Sequence, residues 1–319
     1  MKLYEQSNDL SLYYGNNIDV LKTIEADSVD CVVTSPPYWG LRDYGTSDQL
    51  GLEPTPEEYV ANMVKVFQEI HRVLKPSGTV WLNLGDSYAG SNSDKYSAPN
   101  KNTLSAKMGQ TYGGIEKSIK AKVHGLKPKD LIGIPWRVAF ALQADGWYLR
   151  SDIIWQKPNP MPESVKDRPT KSHEYIFLLT KSRKYYYDAD AIKEPTVSQD
   201  KYKRDRDNPD YKFNNTPGRT KMSGLKDNKY TLKNKRDVWS INTKPYKEAH
   251  FAVFPEEIPM NCIKAGSPKD GVVLDPFAGS GTTLKVALGL GRKAIGIDIN
   301  TEYLDLCIKR CNEIQNILI

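Results

Sequence analysis

Residues 272–300 read VVLDPFAGSGTTLKVALGLGRKAIGIDIN, and the succession of residue types in this stretch decides the fold. A short apolar run ending in Asp275 is a strand buried on both faces. Gly279 and Gly281 then make a tight turn, residues 282–290 keep helical spacing, and a second apolar run ends in Asp298. Strand, glycine turn, helix and strand with a distal acid are the geometry of a Rossmann-type nucleotide site. The glycines let a ligand approach the backbone, and the second acid holds ribose hydroxyls. The third glycine of G-x-G-x-x-G is absent and no Gly-Lys-Ser/Thr follows, so an adenosine carrier without a pyrophosphate fits better than a dinucleotide or a nucleoside triphosphate.

The same alternation runs outward from this stretch. Residues 29–34 (VDCVVT) read as a parallel strand. Residues 56–74 carry apolar side chains at Tyr59, Val60, Met63, Val64, Phe67, Ile70, Val73 and Leu74, a helical spacing that Lys75-Pro76-Ser77-Gly78 stops. Strands are predicted at 79–84, 148–155 and 174–180, and helices at 130–144, 256–264 and 302–315. This pattern predicts an α/β protein with a Rossmann-like, doubly wound, mostly parallel seven-stranded sheet, formed by residues 1–319 as one catalytic domain.

Charge is unevenly spread over that domain. The whole chain is +6, yet residues 201–236 hold twelve Lys/Arg against four Asp, and residues 91–127 hold seven Lys against one Asp and one Glu. Those segments contribute +8 and +5, so the remainder stands at −7. Insertions at about 91–127 and 184–240 are therefore expected to contact DNA, because counterion release makes Lys/Arg clusters the usual source of polyanion affinity. The plain alternative is a pair of solvated loops. No membrane span or signal sequence is evident, and a cytoplasmic protein is expected. The four cysteines, Cys31, Cys262, Cys307 and Cys311, form no CxxC pair, so neither a metal site nor a disulfide framework is expected.

A second informative segment closes the strand at 29–34: Thr34-Ser35-Pro36-Pro37-Tyr38-Trp39. Two prolines fix consecutive φ angles and remove backbone donors. A base amine attacking a methyl group has its lone pair delocalised into the ring, and acceptors for its two hydrogens favour the pyramidal, nucleophilic form. Ser35 and the Pro36 carbonyl are candidates for that task, and Tyr38 for an aromatic platform under a flipped base. Trp39 and Trp155 are further candidates for the base pocket, although tryptophans beside strand ends are ordinary core residues. His173, beside a buried strand, reads as structural.

Together these segments resemble the amino-methyltransferases of DNA, and the resemblance runs over most of the chain. TSPPYW is similar to the family's motif IV, and DPFAGSGTT to its cofactor motif I. Motif IV comes first here, which is the order of the circularly permuted β group. Further similarity lies in KPSGTVWLNLGD, in LRSDIIWQKPNPMPESVKDRPTKSHEYIFLLTKS, in Arg236-Asp237-Val238-Trp239 and in residues 250–266, which resemble motif X.

The resemblance implies S-adenosyl-L-methionine as cofactor and double-stranded DNA as partner. It implies that Ser35, Pro36, Pro37 and Tyr38 hold the target base. Asp275, Phe277 and Gly279 would lie against the methionine and adenosine parts of the cofactor, with Pro276, Gly281 and Thr282 completing the motif, and Asp298 would bind the ribose. Asn16 follows Gly15 where the family often has an acid. Ser rather than Asp at the first position of motif IV is typical of cytosine-N4 enzymes, with adenine-N6 methylation as the alternative and a catalytically inactive DNA-binding protein as the reading of another class. RNA and protein-glutamine methyltransferases usually carry Asn there. No Pro-Cys turn is present for ring-carbon cytosine methylation. A homodimer and a companion restriction endonuclease are both compatible with the resemblance.

Overall fold

The computed structural model describes residues 2–41, 49–90, 125–195, 232–243 and 254–315. The bulk of both basic insertions, and residues 250–253 of the motif X segment, lie outside these. Among the described residues a single nine-stranded sheet forms the centre. Its strands are β1 (Lys2–Gln6), β2 (Leu10–Tyr14), β3 (Val29–Thr34), β4 (Leu74–Leu84), β5 (Tyr148–Gln156), β6 (His173–Thr180), β9 (Val238–Ser240), β10 (Val272–Asp275) and β11 (Lys293–Asp298). They lie in the order β1-β2-β11-β10-β3-β4-β6-β5-β9. Strands β2, β11, β10, β3 and β4 are mutually parallel. Strand β6 runs antiparallel between β4 and β5. The seven strands from β2 to β5 form the expected doubly wound unit, and β1 and β9 extend it at the two edges. A two-stranded ribbon, β7 (Glu194–Pro195) with β8 (Leu232–Lys233), closes the base of the second insertion.

Helices cover both faces because the strands are apolar on both faces. In β4, Val80 and Leu82 join one core while Trp81 joins the other, and in β6 Phe177 and Leu179 alternate likewise with Ile176 and Leu178. This is the period-two signature of a sheet sandwiched between helices. The first core receives α1 (Asn17–Leu21), α2 (Pro56–Val73) and α3 (Ile134–Ala144). The second receives α4 (Glu257–Gly266), α5 (Thr282–Gly289) and α6 (Thr301–Gln315). Helix α2 begins at Thr55, whose hydroxyl accepts from Glu58 N, with Pro56 at the first turn. It buries Tyr59, Met63, Phe67, Ile70 and Val73.

Strand β4 starts at Leu74, five residues earlier than the Lys-Pro-Ser-Gly stop predicts. Leu74 pairs with Val29 across a register shift, and Lys75 Nζ reaches Asp30 at 2.8 Å. The ladder therefore forms before the turn-like residues can end it.

From β10 the chain crosses to β11 on one side, and from β3 to β4 on the other. The order of the sheet reverses between β10 and β3, and the carboxyl ends of five parallel strands open there on one edge. Ligands in open α/β sheets bind outside such a switch point.

Candidate active site

The two sequence motifs, far apart in the chain, meet at this switch point. Thr34 ends β3 and its hydroxyl donates to Asp275 Oδ1 at 2.7 Å, tying the loop that carries Ser35 to the end of β10. Phe277 N donates to the same oxygen at 3.1 Å. Asp275 is buried, and that burial pushes its carboxyl up to about 6, against the opposing pull of Thr34, Thr283 and the Phe277 amide.

Asp298, at the end of β11, accepts from Gly279 N and from Asn300 N, both at 2.8 Å, and burial raises it too. Gly279 has φ +49, and a Cβ there would meet only the Phe277 carbonyl, at 4.0 Å. Backbone is thus open beside the carboxylate, as a ligand lying on the turn requires. Gly15 N donates to the Asp298 carbonyl at 3.0 Å, which brings Asn16 to the same edge. The Asn16 side chain accepts from Ile18 N and caps α1. An open cleft of about 460 Å³ begins at Asn16 and is also lined by Ile18, Leu50, Glu53 and Asn62.

Among the described residues, no lysine or arginine pairs with Asp275 or Asp298. Two carboxylates without a cationic partner, an exposed turn amide and an adjoining cleft suit a ligand that is a positively charged adenosine derivative.

Asp275 carries a stability consequence. A carboxyl whose folded value lies above its unfolded value of about 3.9 costs nothing below that lower value. The cost grows as pH rises and is complete above about 6, at roughly 3 kcal/mol by linkage. Asp275→Asn keeps Oδ1 for Thr34 and Phe277 and removes the charge. The variant should melt above wild type at pH 7.5, with the gap shrinking towards pH 5 in thermal scans. A gap that widens at low pH would refute the account.

The Ser35 side of the site is a polar network drawn from three strands. Ser35 Oγ lies 3.3 Å from the Tyr38 hydroxyl and 3.3 Å from Asn83 Oδ1. The Tyr38 hydroxyl lies 2.7 Å from Glu174 Oε2 and 3.1 Å from Asn83 Oδ1. Asn83 Nδ2 donates to Glu174 Oε2 at 3.2 Å and to the Tyr175 carbonyl at 3.1 Å, and Lys157 Nζ pairs with Glu174 Oε1. Burial first, and then the charge of Glu174, hold the Tyr38 phenol well above its usual value, so it stays protonated. The tyrosine ring packs over Gly85, where a Cβ would lie 2.6 Å from Tyr38 Cε2. Tyr59 of α2 donates to the Pro37 carbonyl at 2.8 Å and fixes the Pro-Pro turn from beneath. Pro36 is buried in that turn.

Four assigned residues have structural engagements in place of the expected ones. Trp39 is 1% exposed and its indole donates to the Glu53 carbonyl, and Trp155 is 4% exposed and donates to the Ile241 carbonyl. Both belong to the cores, since large rings at strand ends bury more area inside than at a pocket rim. Gly281 faces α6, with a Cβ only 2.3 Å from Cys307 Sγ. The Thr282 hydroxyl accepts from Arg310 at 2.9 Å, behind the turn. Pro276 is buried beside Asp275. The expected helix face of Cys307 and Cys311 is present, with 3.9 Å between the sulfurs. His173 sits edge-on to Tyr175.

Asn83, Lys157 and Glu174 escaped the sequence reading. Glu174 adjoins His173 at the start of an apolar strand, and a carboxylate there reads as solvated until the strand order is known.

A site of this kind, on a permuted doubly wound sheet, defines an amino-methyltransferase, and the comparisons agree. The chain belongs to the DNA methylase family, whose model matches residues 29–309. It is 46% identical over 303 residues to the Type II methyltransferase M.Cfr9I of Citrobacter freundii, covering 95% of this chain and 88% of the relative. It is also 46% identical over 297 residues to the Type II methyltransferase M.SmaI of Serratia marcescens, covering 93% and 88%. In fold it is similar to PvuII DNA methyltransferase (cytosine-N4-specific), with a TM-score of 0.63 and 18% identity over 98% of this chain and 92% of that one. It is likewise similar to a Thermus thermophilus protein complexed with S-adenosyl-L-methionine, with a TM-score of 0.56 and 22% identity over 95% of each chain. No described helix is long and apolar enough to cross a membrane.

Proposed function

We propose that the protein transfers a methyl group from S-adenosyl-L-methionine to the exocyclic amine of a base flipped out of double-stranded DNA, at cytosine N4 rather than adenine N6. One observation carries this reading: Ser35 Oγ sits one residue from Thr34, which bonds directly to the Asp275 carboxylate of the glycine turn. The acceptor for the amine and the binding site of the donor are thus held together by a single 2.7 Å contact.

The donor supplies an electrophilic sulfonium methyl. Asp298 accepts from its ribose hydroxyls, Phe277 lies against its adenine, and the cleft at Asn16 borders its outer end. Ser35 and the Pro36 carbonyl accept the amine hydrogens, and Tyr38 stacks under the base. Positioning and fixed dipoles provide the acceleration in place of a strong base. Serine favours cytosine because a neutral hydroxyl stands where a carboxylate would suit adenine-N6 enzymes.

The family's Type II relatives support action on the host's own DNA in the cytoplasm, as a homodimer and with a companion endonuclease as further elements of the proposal. DNA from an expressing host, digested to nucleosides and separated by mass, should contain 4-methylcytosine. 6-Methyladenine in its place would reverse the base assignment, and neither product would favour an inactive DNA-binding protein.

The basic insertions are proposed to track the duplex. Neutralising four Lys/Arg within residues 201–236 should weaken DNA binding and flatten the slope of log K against log salt by up to ~0.9 per lost phosphate contact. Cofactor affinity should be unaffected. A wild-type salt slope would assign the segment to solvated loop.

A further inference from the structure

We propose that Glu174 is a positioning residue for methyl transfer: acting through Tyr38 and Asn83, it turns the Ser35 hydroxyl so that the oxygen's lone pairs face the amine of the target base. The proposal rests on the reading of Ser35 as the amine acceptor.

The hydrogens in the network can be assigned one by one. A phenol has a single hydrogen. The Tyr38 hydroxyl has two acceptors within reach, and the Glu174 carboxylate at 2.7 Å outcompetes the neutral amide oxygen of Asn83 at 3.1 Å. The tyrosine oxygen is then left as an acceptor. Asn83 Nδ2 donates to Glu174 Oε2 and to the Tyr175 carbonyl, which fixes the amide with Oδ1 towards Ser35. Ser35 Oγ therefore faces two acceptors, each at 3.3 Å, and its own hydrogen must point to one of them. What remains on the open side is lone pair.

Lys157 occupies the other carboxylate oxygen, so Oε2 stays committed to Tyr38 and Asn83. Both ends of this ion pair are largely shielded from solvent, with side chains 20% and 13% exposed. The geometry is thus held by packed strands: Asn83 sits on β4, Glu174 on β6, and Lys157 directly after β5. With a neutral group at 174, Tyr38 could donate to Ser35 and Asn83 could turn over. The hydroxyl would then present its hydrogen to the amine half of the time or more, and a hydroxyl is already a weaker acceptor than a carboxylate.

The test uses the full-length protein, unmethylated genomic DNA and S-adenosyl-L-methionine in single turnover. Four variants are compared with wild type: Glu174→Gln, Ser35→Ala, their double, and Glu174→Gln with Lys157→Gln. Glu174→Gln should slow transfer by about tenfold or more while the affinities for cofactor and DNA stay within about twofold, as expected of a contact that matters in the reacting geometry. In the Ser35→Ala background the same change should cost less than about twofold, because the hydroxyl it orients is gone. The variant lacking both charges strands no lysine. It should be as slow as Glu174→Gln, and a wild-type rate in it would overturn the proposal. A Glu174→Gln rate equal to wild type, or the same loss in both backgrounds, would overturn it too. If Ser35→Ala alone is harmless, the reading of Ser35 fails and takes this inference with it. If Ser35→Ala is slow and Glu174→Gln is additive with it, only the inference fails.

Discussion

Ser35→Ala is expected to slow methyl transfer by roughly 10²–10³-fold, the range found when one preorganised polar contact at a reacting centre is removed. Its affinity for S-adenosyl-L-methionine should remain within about twofold of wild type. The separation of these effects follows from the division of labour in the loop. Thr34, not Ser35, bonds to Asp275, so the cofactor turn keeps its anchor when the serine hydroxyl is lost. Ser35 Oγ contacts only Tyr38 and Asn83, each at 3.3 Å, and those partners keep Glu174 without it. The fold should therefore be indifferent to the change. Single-turnover transfer of labelled methyl groups, with calorimetric titration of the cofactor, checks both halves. A rate within about threefold of wild type would remove Ser35 from the chemistry.

The largest effect on stability should come from Gly281→Ala. Gly281 has φ +75, and a Cβ built on it lies 2.3 Å from Cys307 Sγ, 2.9 Å from Cys307 Cβ and 3.1 Å from Cys307 Cα. Helices α5 and α6 would have to separate where both are buried. Left-handed backbone strain of about 1–2 kcal/mol adds to an overpacking cost of about 1–3 kcal/mol, giving roughly 2–5 kcal/mol in all. Chemical denaturation should show a lower midpoint. Adding Cys307→Gly should recover the overpacking part and leave the backbone strain. A variant as stable as wild type would mean that the helices yield more easily than close packing allows.

Part of the site was legible in advance because its signals are local. Asp275, Gly279 and Asp298 stand at strand ends and a turn whose backbone needs are written in adjacent residues, and the Pro-Pro turn after Ser35 is stiff wherever it occurs. The edge strands were not legible in the same way. Strand β2 reads as LSLYY, too short and too polar in its neighbourhood to outweigh a loop reading, and β9 is three residues long. Both are strands because a neighbour offers them a ladder: β11 pairs with β2 from Leu10 to Tyr14, and β5 pairs with β9 from Val238 to Ser240.

The tryptophans show the converse limit. Composition marks Trp39 and Trp155 as aromatic groups near the site, and only packing shows that their indole N–H groups are spent on Glu53 and Ile241 inside the protein.

By itself, then, the sequence determined the doubly wound sheet, the permuted motif order, the glycine turn with its two acids and the serine-proline-proline-tyrosine loop. Each is a matter of hydrophobic period or of backbone freedom within a few residues. Only the tertiary structure decided which polar groups meet. Thr34 reaches Asp275 across 241 positions, and Tyr38 reaches Glu174 across 136. Such pairings depend on strand order and register, and a register slip of one residue would turn Asn83 and Glu174 to the opposite faces of the sheet. That register is set by two apolar cores packing on either side of β4 and β6, a property of the whole chain that no local stretch contains.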